Sequence, residues 1–187
     1  MPSRFRALKS DLRIWLQAPD WEASFAKLDA VPRKELLGPL LSCLPLGGTM
    51  TKRAAVAFGR VVATLAQESP EEARNVVRRL MWHMNEESGN IGWGIPEAFA
   101  EVLAHSRTLA DAFHPILFSY ITKTGREDNY CDHDALRCSC YNAVTRLATA
   151  RQDLAQKARP LLQAGLLDPD PACRTAAREG LEAIGVF

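Results

Sequence analysis

The chain has 187 residues, of which 47% are apolar and 24% are charged, and its formal net charge is +1. Residues 1–80 hold 13 basic and 8 acidic residues, a charge of +5, and the remaining residues carry −4, so the chain lacks the overall basic excess of a dedicated nucleic-acid binder. No apolar run reaches the roughly 18–20 residues of a membrane span, and the N-terminus lacks the apolar core of a signal peptide, which predicts a cytoplasmic protein.

Apolar residues recur at helical spacing along the whole chain, which predicts a single repeat domain over residues 1–187. Residues 1–31 predict one or two capping helices. Four predicted helix pairs then occupy 32–66, 70–105, 107–149 and 151–187.

The second helix of each predicted pair repeats one pattern of small and large apolar residues. Counted from Arg174, these positions are Ala177, Gly180, Leu181 and Ile184, which lie on one face of a helix. Counted from Arg137, Gly92 and Thr51, the same spacing gives small and large apolar residues in the other three second helices. In the first helices, a proline precedes two bulky aliphatic residues at Pro39, Pro115 and Pro160, with Asn75 at the fourth equivalent place.

The motif "DPDPACRTAAREGLEAIG" (168–185) resembles the second half of a short bacterial HEAT-like repeat, of the kind also found in relatives of phycobilin lyases. The stretch "RRLMWHMNEESGNIGWGIPEAF" (78–99) is similar to a segment of a bacterial HEAT-like family to which no activity is attached. The resemblance implies an all-α, right-handed α-α superhelix of about four helix pairs, and HEAT-like arrays act mostly as binding scaffolds.

The stretch 78–99 is also the strongest candidate for a binding site. Tryptophans, arginines and carboxylates converge there on a glycine-rich turn, and aromatic anchors with convergent polar groups are typical of recognition sites. The predicted pocket is lined by Arg78, Arg79, Trp82, Glu86, Glu87, Trp93 and Glu97. The alternative is an elaborate inter-helix turn with solvated carboxylates.

The segment "CDHDALRCSC" (131–140) contains the spacing C-x-H followed by C-x-C. We predict no metal site there, because Cys138 and Cys140 lie about 200° apart around one helix. Cys138 is instead a candidate reactive thiol, although nearby carboxylates would raise its pKa. Five cysteines, an odd number, indicate reduced thiols.

Aspartates precede the last two second helices. Asp168 and Asp170 are expected to cap the helix after them, with Arg174 reaching back to such a carboxylate or to the neighbouring repeat. Asp132, Asp134 and Arg137 repeat this arrangement.

The predicted function is a non-catalytic scaffold that binds a protein or peptide and needs no cofactor. Its inner surface would carry polar residues of mixed sign, namely Lys52, Arg60, Glu97, Glu101, Asn142, Arg146, Arg178 and Glu182. Two alternatives stay open. One is a nucleic-acid binder related to the HEAT-like DNA alkylation-repair glycosylases, and the other is a lyase-like or chaperone-like helper of a cofactor-bearing protein, with Cys138 as its candidate residue.

Overall fold

The computed structural model describes residues 4–85, 92–125 and 129–185, and within these ranges it contains helices and no strand. The predicted all-α fold is therefore confirmed. The helices are α1 (Arg4–Gln17), α2 (Phe25–Asp29), α3 (Arg33–Leu41), α4 (Gly48–Glu68), α5 (Pro70–Met84), α6 (Ile95–His105), α7 (Arg107–Ser119), α8 (Asp134–Ala150), α9 (Gln152–Gly165) and α10 (Pro171–Ala183). None of these helices is long and apolar enough to cross a membrane.

The helices form a solenoid of stacked pairs. Helices α4, α6, α8 and α10 contact one another in succession and make one continuous layer. Helices α3, α5, α7 and α9 each pack against the second helix of their own pair, and α1 packs on α3 and α4 at the start of the array.

The repeated apolar face explains the inner layer. In α10, Ala177, Gly180 and Leu181 are buried, and the equivalent residues of α8 and α6 are buried too. Small side chains let the helices approach closely. A Cβ added at Gly59 of α4 would lie 2.7 Å from the backbone carbon of Glu101 in α6.

The three repeated prolines lie inside the first helices, as the pattern predicted. Pro39, Pro115 and Pro160 are interior residues of α3, α7 and α9. Each of these helices ends two to five residues after its proline. The proline lacks an N–H, so the carbonyl four residues before it has no intrahelical donor from that position.

The predicted capping by aspartate is correct for only one residue. Asp170 caps α10, its Oδ1 accepting a hydrogen bond from Cys173 N at 2.9 Å. For α8 the prediction was wrong, because His133 is the N-cap residue and its Nδ1 accepts from Leu136 N at 3.3 Å.

Asp168 does not cap a helix; it joins α8 to the turn before α10. Its carboxylate accepts from Arg137 Nε and Nη2, both at 2.9 Å, and the two side chains are only 1% and 2% exposed. Tyr141 Oη donates to the same carboxylate at 3.2 Å, and the backbone N–H of Asp170 donates at 2.9 Å. Arg174 contacts the carbonyls of Asp168 and Pro169 instead of a carboxylate. The buried ion pair of Asp168 and Arg137 thus connects the third helix pair to the fourth.

A second ion pair connects α6 to α8. Arg146 donates from Nε and Nη2 to the two oxygens of Glu101, at 2.8 and 2.9 Å. Glu101 is buried and Arg146 half-buried. Two of the polar residues predicted for the inner surface, Glu101 and Arg146, therefore pair with each other.

Candidate functional site

A groove of about 360 Å³ opens where the N-terminal ends of α4 and α6 meet the first half of α8. We call it the α4–α6 groove. Its lining residues are Leu44, Pro45, Gly47, Gly48, Thr51, Lys52, Trp93, Gly94, Glu97 and Ser139. The lining combines apolar residues with a lysine and a carboxylate.

Two local features fix the floor of this groove. Thr51 Oγ1 donates to Leu44 O at 2.6 Å and accepts from Gly47 N at 2.9 Å, which holds the loop before α4 against the helix. Gly94, the N-cap of α6, has φ +76°, and a Cβ there would lie 2.7 Å from Leu44 O. Glycine is required at this position both by its left-handed backbone and by the close approach of the two turns.

Trp93 forms one wall of the groove and is 39% exposed. Its ring packs edge-on against His133, with 5.4 Å between ring centroids and 89° between the planes. His133 is also the N-cap residue of α8, so the Trp93 indole is held in place by a residue of the third helix pair, α7 and α8. A large aromatic surface is thereby presented to solvent in a defined position.

Glu97 lies in the first turn of α6 and lines the groove. Its Oε2 is buried and has no hydrogen-bond partner among the described residues. Burial raises the pKa of this carboxyl, and its own backbone N–H, the Ser139 hydroxyl and the charge of Lys52 oppose the rise only in part. The charged form of Glu97 is therefore under-stabilised in the free protein.

A Glu97→Gln variant is expected to lose the pH dependence that this carboxyl gives to stability. A raised folded-state pKa means that the folded protein holds the proton more tightly, so stability falls as pH rises from the unfolded pKa, about 4.3, through the folded one. Glutamine does not titrate. The melting temperature of the variant, relative to that of wild type, should therefore increase as the pH is raised from 4 to 7. A difference in melting temperature that stays constant over this pH range would contradict the raised pKa of Glu97.

The residues of the predicted pocket do not all line the α4–α6 groove. Trp93 and Glu97 line the α4–α6 groove, whereas Arg78, Arg79 and Trp82 are exposed on α5 and are not among its lining residues. Arg78 Nη1 donates to Glu71 and Asn75 of its own helix, both at 2.7 Å. Glu86 and Glu87 lie outside the described residues. A binding role for these five residues stays a prediction.

Sequence reasoning did not place Lys52, His133 and Ser139 beside Trp93. These residues come from α4 and from the start of α8, about 40 residues before and after the tryptophan. The repeated spacing of the second helices was a usable signal. Lys52, Trp93 and Cys138 each follow a starting residue of that pattern, Thr51, Gly92 or Arg137, by one position. They are therefore expected at the same edge of successive inner helices.

Cys138 is half-buried, and burial followed by the charges of Asp170, Glu179 and Asp168 raises its pKa. That environment disfavours the thiolate, the reactive form. The hypothesis that Cys138 is a reactive thiol stays untested. Among the described residues, no group of three or more histidine, cysteine or acidic side chains is arranged to hold a metal ion.

Comparison with protein-family profiles and with curated protein sequences finds no match. Among solved structures, a designed armadillo repeat protein is similar to 99% of this chain, which covers 96% of that protein, with 15% sequence identity and a TM-score of 0.49. This likeness carries no information about a ligand or a partner. The specific HEAT-like family expected from the sequence stays a prediction, while the helices themselves form a helical repeat solenoid.

Proposed function

We propose that the chain is a non-catalytic binding module that holds a segment of a partner protein in the α4–α6 groove. One observation carries this proposal. An exposed tryptophan and a carboxyl group with an unsatisfied buried oxygen line the same groove. A donor group from a ligand would favour the charged form of Glu97, and an apolar side chain would cover Trp93, so binding would relieve two unfavourable features of the free protein.

The dimensions and charges of the groove favour a peptide over a folded domain or a nucleic acid. A volume of about 360 Å³ holds a few side chains. Lys52 and Glu97 have opposite signs, which suits a chain with both donors and acceptors and does not suit a uniformly anionic polymer. Helical repeat arrays also commonly offer extended surfaces of this kind to partners.

A peptide library selected on the wild-type protein tests this function. Peptides that use the groove should bind Trp93→Ala about thirtyfold more weakly, because truncating a central aromatic anchor costs roughly 2 kcal/mol. Trp82→Ala is the matched control: it removes an even more exposed tryptophan, 72% exposed, that does not line the groove. Affinities are measured by fluorescence anisotropy, with circular dichroism to verify folding.

Equal losses in the two variants, or unchanged binding in Trp93→Ala, would contradict the groove as the binding surface. The same titration with duplex and single-stranded DNA at low salt tests the nucleic-acid alternative, because phosphate contacts weaken steeply as salt rises.

A further inference from the structure

Helix α6 carries two carboxylates one helical turn apart, Glu97 and Glu101, and they differ in their partners. Both oxygens of Glu101 accept from Arg146 of α8, at 2.8 and 2.9 Å, so a cation from the next helix pair balances its charge. Glu97 Oε2 is buried and unpaired, and no basic side chain forms an ion pair with Glu97 in the part of the chain that the structure describes. Near Glu97, α8 instead places the neutral Ser139 in the α4–α6 groove. The fold thus leaves the groove carboxylate without a counter-charge.

Trp93 lies in the same groove and offers a second feature that suits a cation. Indole attracts a cation over its face more strongly than the other aromatic side chains do. Trp93 is 39% exposed and is held by its contact with His133. Two other tryptophans already have a cation of the chain near their rings, 5.6 and 5.4 Å from the ring centroid, whereas Trp93 has none among the described residues. A carboxylate and an aromatic ring, both without a cation, therefore line one groove.

Lys52 also lines the groove but does not fill this role. Its side chain is exposed, and it forms no ion pair with Glu97 within the described residues. Water and salt screen an exposed charge, so Lys52 only weakly opposes a second cation that binds at the buried oxygen of Glu97. On its own side of the groove, Lys52 can attract carbonyl oxygens of a peptide. The groove therefore has an acceptor side and a donor side.

We propose that the α4–α6 groove selects a lysine side chain of the bound peptide, whose ammonium group donates to Glu97 Oε2 and contacts the Trp93 ring. This inference rests on the peptide-binding function proposed above and specifies the residue that the groove recognises. The methylene groups of the lysine lie along the apolar lining, Leu44 and Pro45, since long cationic side chains bury their stems against apolar surface. The ammonium group gives Glu97 a hydrogen bond and a counter-charge together.

Charge and shape favour lysine over the other donors of a peptide. The amide of a glutamine would satisfy Oε2 but would leave the carboxylate without a counter-charge, and a charge-assisted bond is roughly twice as strong as a neutral one. A guanidinium is a planar fork that pairs best with both oxygens of a carboxylate, as Arg146 does with Glu101. At Glu97, Oε2 alone is a buried oxygen without a partner among the described residues. A single unpaired oxygen suits the compact ammonium group.

The test uses two peptide pools that are identical except at one central position, where one pool carries lysine and the other norleucine. Norleucine keeps the aliphatic stem and lacks the ammonium group, and all other positions are randomised over uncharged residues. Both pools are selected on the folded wild-type chain. The lysine pool should supply nearly all the peptides that bind Trp93→Ala more weakly than wild type.

Individual peptides then give the size of the effect by fluorescence anisotropy. Norleucine in place of the lysine should weaken binding roughly tenfold to a hundredfold, because a hydrogen bond between charged groups is lost. Glutamine and arginine at the same position should each weaken binding too, but by less. These two substitutions separate the need for a donor from the need for an ammonium group.

Glu97→Gln is the matching change on the protein. It removes the carboxylate, so the advantage of lysine over norleucine should shrink to a few-fold, the part that the cation–π contact with Trp93 supplies. Asp111→Asn is the control, because it removes one negative charge from an exposed side chain that does not line the groove. This variant should keep the full advantage of lysine. Circular dichroism verifies that both variants are folded.

Three results would overturn this inference. These are norleucine or glutamine peptides that bind as tightly as lysine peptides, arginine peptides that bind more tightly, and an advantage of lysine that is equal in Glu97→Gln and in wild type. Each of them leaves binding dependent on Trp93, so the proposed function stands. If neither pool yields a peptide that Trp93→Ala binds more weakly, the proposed function and this inference both fail.

Discussion

An Asp168→Asn variant is expected to lose about 3 kcal/mol of unfolding free energy, because it removes the buried one of the two carboxylates that the Arg137 guanidinium contacts. The other, Asp134, accepts from Arg137 Nη2 at 2.7 Å, but its side chain is 64% exposed. The side chains of Asp168 and Arg137 are almost completely buried and joined by two hydrogen bonds of 2.9 Å. Tyr141 and the backbone N–H of Asp170 also donate to Asp168, and a neutral amide accepts these bonds more weakly. Urea unfolding at pH 7 measures the loss.

Asp111→Asn provides the matched control. Asp111 also accepts a 3.0 Å bond from an arginine, Arg151, but its side chain is 57% exposed. Exposed pairs contribute roughly 0–1 kcal/mol, so this variant should unfold almost like wild type. A similar cost for the two substitutions would refute the assigned role of the buried pair. A double-mutant cycle with Arg137→Met should also give strong coupling, because the two residues share one network.

The pH dependence of this cost has a defined sign. Burial alone would raise the pKa of Asp168, but the bonds from Arg137, Asp170 and Tyr141 outweigh it and leave the pKa below its ordinary value. Stabilisation by a carboxylate with a depressed folded pKa is complete above the unfolded value, about 3.9, and disappears as pH falls through the folded value. The gap between wild type and Asp168→Asn should therefore narrow only at pH values below about 4.

A Gly59→Ala variant is expected to be destabilised even though alanine is the better helix former. The added methyl group would lie 2.7–2.8 Å from the backbone carbon and oxygen of Glu101, and the backbone of α6 cannot move aside without shifting the helix. Overpacking of this kind costs about 1–3 kcal/mol, against roughly 1 kcal/mol gained in helix propensity.

Gly38→Ala is the control for this prediction. Its Cβ would meet Phe5 Cε2 at 2.9 Å, but Phe5 is 49% exposed and its ring can rotate away. We expect this variant to be as stable as wild type or more stable. If thermal unfolding ranks Gly59→Ala equal to or above Gly38→Ala, the close approach of α4 and α6 is not a constraint on the fold.

Much of the candidate site could not be read from the sequence. The pocket predicted over residues 78–99 drew all its residues from one stretch of the chain. Trp93 instead contacts His133 from the third pair and lines a groove with Lys52 from the first pair. The prediction named Trp93 and Glu97 because aromatic anchors with convergent polar groups are typical of recognition sites. It also named Arg78 and Trp82, which are not among the lining residues of this groove.

Cap assignment failed for a related reason. Asp132, Asp134 and Asp168 have the residue type and the position of N-caps, yet His133 caps α8 and Asp168 pairs with Arg137. A helix cap depends on which side chain reaches the free N–H groups. A carboxylate that forms an ion pair with an arginine of the neighbouring helix pair, as Asp168 does, is not available to cap. Asp170, whose Oδ1 reaches the N–H of Cys173, caps as the local pattern predicted.

The sequence by itself determined the helices and their buried faces. Helical periodicity, glycine at tight turns and proline inside the first helices are local properties, set by backbone sterics and by the burial of one face, so they are visible in a short window of residues. Only the tertiary structure decided which polar groups meet. Arg137 and Asp168 are 31 residues apart, Arg146 and Glu101 are 45 apart, and Lys52 reaches the groove from the first pair. Such contacts depend on how one helix pair is placed on the next, which no local pattern encodes.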